Sequence, residues 1–527
     1  MDVKHEEGLG ERHPEPPHGR RGYRSLINNP RLLLSAFFLA LVFFTFGFDG
    51  SVGGGILAMQ PFVQQFAPNK SSDGVPYLTA TDISILTAVP TTGCLLGLPL
   101  AAALGDRIGR KKTLLIGCII SAVGTAIQTS AFGIAQMVVG RWIANIAIFI
   151  FIVMASTFLA EIAPENMRGA IVGLSIVLID SAAVLSAGVN WAVSSDSTPL
   201  SYRLPLGLQI AFAVVIAGGV LFLDDSPTFY LTKSRDDEAL RSLRQIRRGY
   251  TDAEVEAEFS ALKGQAALRE TEKEVPWMDM FRGTNLRRTL LALSVGNMQQ
   301  LSGIAFATNY VTIFLASVGV STSPFLLTLV VALLALAGAV AGMFLVDAVG
   351  RRPLALTTFT AVFVVDLVIG VLGFMDYQTR PAIAQAIAAF SCMFAFFFAC
   401  GFGPLTYVVA SEMPTARLRN KTSAFSFLVL ACFSTVVVYV LPYISQPDAG
   451  NLGAKTYLIF AGWMAGCIVI TYIYLPETKG RTPAELDAMF EAGVPAREFA
   501  SYECNASIES YLSEAKASAG VSEVEHL

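Results

Sequence analysis

Hydrophobic positions along this chain come in long unbroken runs, and polar residues collect in the short gaps between them. Crossing ~30 Å of hydrocarbon at 1.5 Å per residue takes about 20 apolar residues. Twelve such runs can be read, at 32–57, 83–104, 113–132, 136–159, 170–191, 204–223, 289–314, 325–346, 354–375, 382–410, 422–444 and 456–475. A helix satisfies its own backbone inside such a run, so the pattern predicts an all-α membrane protein with twelve transmembrane helices. One long polar segment, 224–288, has near-balanced charge and helix-forming stretches such as Asp236 to Arg248, and it divides six runs from six. The expected units are a tail (1–31), a six-helix bundle (32–223), a central loop (224–288), a second bundle (289–475) and a tail (476–527). The first run is too long for a cleaved signal and leads into Gly-rich sequence without a clear cleavage site.

An even number of spans puts both tails on one side, and loop charge decides which. The turns 105–112 (Arg107, Arg110, Lys111, Lys112), 347–353 (Arg351, Arg352) and 411–421 (Arg417, Arg419, Lys421) are basic. On the other side, 58–82 holds only Lys70, 192–203 only Arg203, 445–455 only Lys455, and 315–324 has no basic residue. The basic side is therefore expected to be cytosolic, with both termini inside, in the plasma membrane. The sequon at Asn69 falls in the first outside loop and is a glycosylation candidate, whereas those at Asn420 and Asn505 fall inside and are set aside.

Composition agrees with a bilayer as solvent. The chain of 527 residues is 54% hydrophobic and only 15% charged, with a mean hydropathy of +0.56. A soluble protein carries nearer a quarter charged residues. A net charge of −4 and a pI near 5.7 offer no basic field, so no nucleic-acid partner is expected. The seven cysteines form no C-x-x-C pair, and the four histidines (His5, His13, His18, His526) all lie in the tails. No metal site, no cofactor and no enzymatic constellation is therefore expected, and a monomer in the lipid bilayer is the expected form.

The two halves repeat. Asp106-Arg-Ile-Gly-Arg-Lys in the first matches Asp347-Ala-Val-Gly-Arg-Arg in the second, each in a tight turn between runs. Glu161 precedes Arg168 by seven residues, and Glu412 precedes Arg419 by seven. Asp225-Ser-Pro and Glu477-Thr-Lys then close their halves at corresponding distances. Halves related by a pseudo-symmetry axis suit alternating access, in which two bundles rock about a midplane site. Asp106, Arg110, Glu161, Arg168, Asp347, Arg351, Arg352, Glu412 and Arg419 are read as a cytosolic gate, paired when the inner mouth is shut and released when it opens.

With these residues in place, the chain resembles a major facilitator transporter of the sugar porter family. The resemblance runs from the first span to the tail and rests on Gly47-Phe-Asp49, the two D-x-x-G-R turns, Gly140-Arg141, Glu161 to Arg168-Gly169, Gln299-Gln300-Leu-Ser-Gly303, Gly403-Pro404 and Pro476-Glu-Thr-Lys-Gly480. Tyr202 to Gln209, Arg287-Arg288-Thr289 and Glu412 to Lys421 are similar to the fungal α-glucoside and disaccharide proton symporter branch. There are departures. Ile176 stands where many hexose carriers have a sugar-binding Gln, Ala305 where they have Asn, Tyr407 where Trp is usual, and Asn145 where Gly is common. Asp225-Ser-Pro-Thr replaces the usual Glu-Ser-Pro-Arg. A plain hexose is thereby put in doubt as the substrate.

Charges inside apolar runs are functional candidates because of their desolvation cost. Asp49 and Arg141 both fall in the outer half of their spans. The resemblance implies that they couple transport to protons, since family members that use protons carry this pair. Asp180 lies twelve residues past Arg168, roughly 18 Å along the helix, and one turn past Ile176 on the same face. It is a candidate to accept substrate hydroxyls, bind a cationic group, carry a second proton, or pair with a neighbouring helix. Asp366 is expected to be structural. Gln299 and Gln300 offer amides that match sugar hydroxyls, and with Asn309, Tyr310, Tyr407 and Gln209 they complete the expected substrate cavity. The expected function is secondary active transport of a sugar or sugar-like small solute by proton symport. Two alternatives stay open: a carrier of a non-sugar metabolite, such as a polyol or small acid, and a transporter-like nutrient sensor, which the short, mostly small and polar tail disfavours.

Overall fold

A computed structural model describes residues 30–71, 74–163, 168–247, 250–273, 276–415 and 417–502. The four histidines, Cys504, Asn505, most of the first expected tail and residues 503–527 of the second lie outside the described residues, as do the side chains of Arg168 and Asn420. In chain order the first half contains α1 (Pro30–Ile56), α2 (Gln60–Phe66), a small hairpin of β1 (Asn69–Lys70) and β2 (Pro76–Tyr77), α3 (Ala80–Thr91), α4 (Cys94–Ile108), α5 (Arg110–Thr129), α6 (Ile134–Ile162), α7 (Arg168–Val193) and α8 (Leu200–Leu221). The central segment forms α9 (Pro227–Thr232), α10 (Asp236–Ile246), α11 (Asp252–Lys273) and a 3-10 turn at Trp277–Phe281. The second half contains α12 (Gly283–Leu301), α13 (Ile304–Asn309), α14 (Val311–Val318), α15 (Pro324–Ala348), α16 (Arg351–Leu372), α17 (Pro381–Glu412), α18 (Arg419–Ser445) and α19 (Thr456–Tyr474), with α20 (Pro483–Glu491) beyond it.

Eleven stretches among the described residues are long and apolar enough to span a bilayer as one helix, with α3 and α4 forming a single span Ala80–Ile108. The expected seventh run, 289–314, is not one helix. It is broken into α12, α13 and α14, because Gly303 adopts φ +85° and ends α12, and Tyr310 (φ −123°, ψ 0°) ends α13. Asn297, Gln299 and Gln300 also lower the apolarity of this run. Such discontinuous helices are tolerated at membrane depth where they border a cavity or are buried in protein.

Within the first half α1 packs on α7 and α8, and α5 on α6 and α8; within the second, α15 packs on α17, and α16 on α17 and α19. Apolar surface is not what drives helices together in lipid, so close backbone approach matters. Gly338 and Gly342 of α15 supply it: an added Cβ at either would sit 2.3 Å from a carbonyl oxygen of α17, that of Phe396 or Cys400. The halves meet through α3 on α18, α7 on α15, and α13 and α14 on α1.

The segments beyond the spans are anchored. Arg247 at the end of α10 pairs with Glu258 of α11 and donates to Ile162 O at the C-terminus of α6, 2.8 Å away. The tail expected to be mostly small and polar instead buries Met489, Phe490 and Phe499. Arg288 of α12 pairs with Asp487, donates to Met413 O at the end of α17, and stacks on Phe490 with 4.7 Å between guanidinium and ring centroid. The sequence signal for α20 was Thr482-Pro-Ala-Glu485, a capping box whose two side chains make both reciprocal bonds.

Candidate functional site

Asp49 sits in α1 at 4% exposure, and three residues of the first half hold it. Gln209 Nε2 of α8 donates to Oδ1 at 3.1 Å, Asn145 Nδ2 of α6 donates to Oδ2 at 3.3 Å, and Arg141 Nη2 of α6 stands 4.0 Å from Oδ2. Gln128 Nε2 of α5 in turn donates to Gln209 Oε1 at 3.4 Å. The guanidinium is loosely engaged: Arg141 Nε and Nη1 are buried without a hydrogen-bond partner among the described residues. Gly53, one turn beyond Asp49, makes room for it, since a Cβ there would lie 2.6 Å from Arg141 Nη2. Asn145 was visible in the sequence only as a departure from Gly. Gln209, expected in the substrate cavity, is 5% exposed and bonded to Asp49, inside one bundle.

The remaining cavity candidates divide. Asp180 of α7 is partly exposed and has no hydrogen bond or ion pair among the described residues. Its charge reaches Tyr407 of α17, in the opposite half. Tyr407 is 39% exposed and lies against Phe427 of α18, ring centroids 5.6 Å apart. Beside it Thr406 donates to Gln299 Oε1 at 3.2 Å, and α7, which carries Asp180, packs on α15 and touches α17 of the other half. Gln300 is buried and Asn309 partly buried, the latter's carbonyl oxygen 2.6 Å from where a Cβ on Gly54 would sit. Ile176 is partly exposed one turn before Asp180, and Ala305 is buried. Asp366 of α16 is fully buried, with neither carboxylate oxygen hydrogen-bonded among the described residues.

Tyr310 lies elsewhere, at the end of the molecule that carries the β hairpin. Its hydroxyl donates to Val438 O at 2.8 Å and lies 2.7 Å from Thr87 Oγ1. It belongs to a line of contacts that shuts the halves together at this hairpin end. Ala80 N donates to Asp448 Oδ2 (2.8 Å), Ser84 Oγ to Tyr439 O (2.8 Å), and Tyr443 OH to Thr81 Oγ1 (3.2 Å), while Thr91 and Thr435 meet hydroxyl to hydroxyl at 3.0 Å. Sequence reasoning missed this closure. The signal was the polar stripe Ser84, Thr87, Thr91 at helical spacing along one face of the second run. Asn69 is exposed on the hairpin, opposite Tyr77.

At the opposite, basic end the two repeats share a set of bonds, to which the second half adds Arg351 Nε and Thr478 Oγ1 donating to Glu412 Oε2. Arg110 Nη2 donates to Glu161 Oε1 (3.0 Å) and Nη1 to Gly105 O (3.0 Å); Arg351 Nη2 donates to Glu412 Oε1 (2.8 Å) and Nη1 to Val346 O (3.2 Å). Asp225 Oδ1 accepts the backbone N–H groups of Arg110 (3.0 Å) and Lys111 (3.3 Å), and Glu477 accepts those of Arg351 and Arg352 (3.0 Å each). Each carboxylate thus satisfies orphan donors and complements the dipole at a helix N-terminus. The preceding glycines make this approach possible. Gly109 (φ +96°) and Gly350 (φ +109°) would place a Cβ 2.1 Å and 2.7 Å from those carboxylate oxygens. Burial pushes the Asp225 carboxyl above its usual range, opposed by the N–H groups of Ser226, Lys111 and Arg110 and by the Arg110 charge.

Lys111 and Arg352 are equivalent in a second way. Lys111 Nζ donates to Leu221 O and Leu223 O at the end of α8, and Arg352 Nη2 to Tyr472 O near the end of α19, so Arg352 caps a helix C-terminus. The carboxylates of Asp106 and Asp347 are 75% and 77% exposed. Arg419, in the first turn of α18, has its Nε buried without a hydrogen-bond partner among the described residues, and Arg168 starts α7. Both arginine–glutamate pairs are made within one half each.

A family model described as Sugar (and other) transporter matches residues 35–490. The high glucose sensor RGT2 of Saccharomyces cerevisiae is 29% identical over 88% of this chain; the chain spans 61% of that relative's length. The major facilitator-type transporter ecdD of Aspergillus rugulosus is 28% identical, with 89% of each chain covered. Among solved structures, the inward open conformation of the xylose transporter XylE from E. coli matches with a TM-score of 0.71 at 21% identity, over 87% of this chain and 99% of that one. That likeness is one of fold. The chain belongs to the sugar (and other) transporter family, the sugar porters of the major facilitator superfamily.

Proposed function

We propose that this chain carries a sugar or sugar-like small solute across the plasma membrane by proton symport, with the bundles 32–223 and 289–475 rocking about the interface between them. The observation that carries this reading is the environment of Asp49. A carboxylate held by two amides, with a guanidinium 4.0 Å away and not locked to it, can change protonation without breaking a tight ion pair. Its place in the bundle interior, beside the hairpin-end closure, suits a group loaded from one side and emptied to the other.

In this reading the basic end is cytosolic, as are both termini, and the protein works as a monomer with an Asn69 that carries a glycan. The hairpin end is shut, so the solute site faces inward. The Arg110–Glu161 and Arg351–Glu412 pairs keep each bundle's inner end rigid, and the exposed Asp106 and Asp347 stand ready to meet the opposing bundle when the inner gate closes. Gln299, Gln300, Tyr407 and Asp180 recognise the solute, and Asn309 links α13 to α1. The test is uptake by the purified protein in liposomes under an imposed pH gradient. Concentration of a labelled sugar that collapses with an uncoupler supports symport; equilibration unaffected by the gradient rejects it.

The name of RGT2 prompts a second reading, a glucose sensor. A sensor binds glucose without moving it, so the same liposomes separate the two.

A further inference from the structure

We propose that Asp180 selects solutes carrying a basic nitrogen, so that the transported molecule is an amino-bearing sugar or cyclitol; this rests on reading the chain as a carrier of sugar-like solutes. The argument starts from an imbalance. Asp180 is at membrane depth, partly exposed on a helix that packs against the other half, and it forms no hydrogen bond or ion pair among the described residues. The helices packed on α7 carry Arg31, Arg141 and Arg203. Arg31 belongs to the first turn of α1, at the basic end, and Arg141 stands at Asp49. Arg203 stacks on Phe132 and Tyr202 at the hairpin end. The group of the other half that the Asp180 charge reaches is neutral, Tyr407 of α17.

An ionised carboxylate offers acceptors only, and leaving it unpaired away from bulk water is costly. Hydroxyl recognition does not need it, because an amide supplies both donor and acceptor, as Gln299 does here. Helix α7 has instead placed an apolar Ile176 and an acid, Asp180, one turn apart on the same face. An ammonium group on the solute supplies the missing charge and three donors, and the exposed face of Tyr407 gives that cation a second partner. The other intramembrane acids are unsuited to this role. Asp49 is occupied by Gln209 and Asn145, and Asp366 is sealed within the second half at 0% exposure.

The experiment uses the full-length purified protein in lipid nanodiscs and matched ligands that differ by one hydroxyl exchanged for ammonium: D-glucose and D-glucosamine, D-galactose and D-galactosamine, myo-inositol and an amino-myo-inositol. At least one amine should bind at least about tenfold more tightly than its hydroxyl twin, the range of one charge-assisted contact. Asp180→Asn should bring that ratio to within about threefold, and Asp180→Glu should keep its direction. Equal or weaker binding of every amine in the wild-type protein overturns the proposal without needing a variant. So does a preference that survives Asp180→Asn, or an Asp180→Asn protein that keeps the preference and loses only the pH dependence of binding, which marks a proton site. Binding of the hydroxyl series alone rejects this inference and leaves the sugar-like reading standing. Binding of neither series, by protein shown to be folded, rejects both.

Discussion

Gln209 donates to Asp49 across 3.1 Å while its own carbonyl oxygen accepts from Gln128, so the membrane carboxylate ends a chain of buried amides that runs from α5 through α8 to α1. The geometry fixes Gln209's orientation: its NH2 faces the carboxylate and its oxygen faces Gln128. Gln209 approaches Oδ1, while Asn145 and Arg141 approach Oδ2 of the same carboxylate.

The first prediction follows for Asp49→Asn. Asn keeps the shape and loses the titration, so accumulation against a gradient should fall to equilibration while exchange of labelled for unlabelled solute persists. Gln209→Leu leaves Asp49 one donor short and should lower uptake roughly fivefold, the equivalent of about one hydrogen bond. Paired counterflow and accumulation assays check both. Uncoupler-sensitive accumulation by Asp49→Asn would remove Asp49 from the coupling step.

What the sequence could disclose followed the physics of each feature. The D-x-x-G-R repeat is local and was legible, as were most spans; Glu161 and Glu412 do meet turn arginines, but each within its own half and not as the expected gate that pairs only when the inner mouth is shut. The role of Asp225 and Glu477 was half legible: their spacing marked a repeat, but capping a helix more than a hundred residues away depends on tertiary contact. The same holds for Gln209, whose position mid-run fits a cavity or a bundle interior equally until α8 is packed on α1. The break of the seventh span at Gly303 was hidden because a left-handed glycine and a lipid-packing glycine read alike.

A second prediction concerns the basic end. Gly350→Ala forces a side chain into φ +109° and against Glu477, and backbone strain of this kind costs about 1–3 kcal/mol. Its thermal midpoint in detergent should drop below that of wild type, whereas Gly466→Ala, mid-helix and meeting nothing within 4 Å, should not lower it. Arg351→Gln and Glu412→Gln should each reduce uptake, and the double variant should lose less than the sum, with a coupling of ~0.5–3 kcal/mol as for residues in direct contact. Strict additivity would mean that the pair does not act as a unit.

The third prediction is a pH dependence at Asp225. Burial raises this carboxyl above its usual range, so the folded state holds the proton more tightly than the unfolded chain does. The associated stability is fully present below the unfolded pKa and is lost as pH rises through the folded value. Asp225→Asn cannot titrate. Wild type should therefore lose thermal stability relative to Asp225→Asn as pH is raised from acidic to neutral, in scans at matched detergent and salt. A gap that moves the other way would mean that the N–H groups of Arg110 and Lys111 outweigh burial.

The last prediction tests whether the hairpin end opens during transport. Thr91 of α3 and Thr435 of α18 meet at 3.0 Å between hydroxyl oxygens, one from each half. Cysteines at both positions should therefore reach disulfide geometry in this arrangement. Cys94 and Cys432 lie one turn from them on the same two spans, so both are first changed to Ala, which leaves the engineered pair as the only thiols there. Mild oxidation of Thr91→Cys/Thr435→Cys should then cross-link the halves, stop net uptake and leave solute binding from the basic end intact. Reduction should restore uptake, and neither single cysteine should respond to oxidant. The bond joins bundles that must part for the solute to reach the site from outside, so a cross-linked protein cannot complete the cycle. If the quantitatively cross-linked protein still transports at the reduced rate, α3 and α18 do not separate at this level, and the alternating rocking of the two bundles is wrong for this chain.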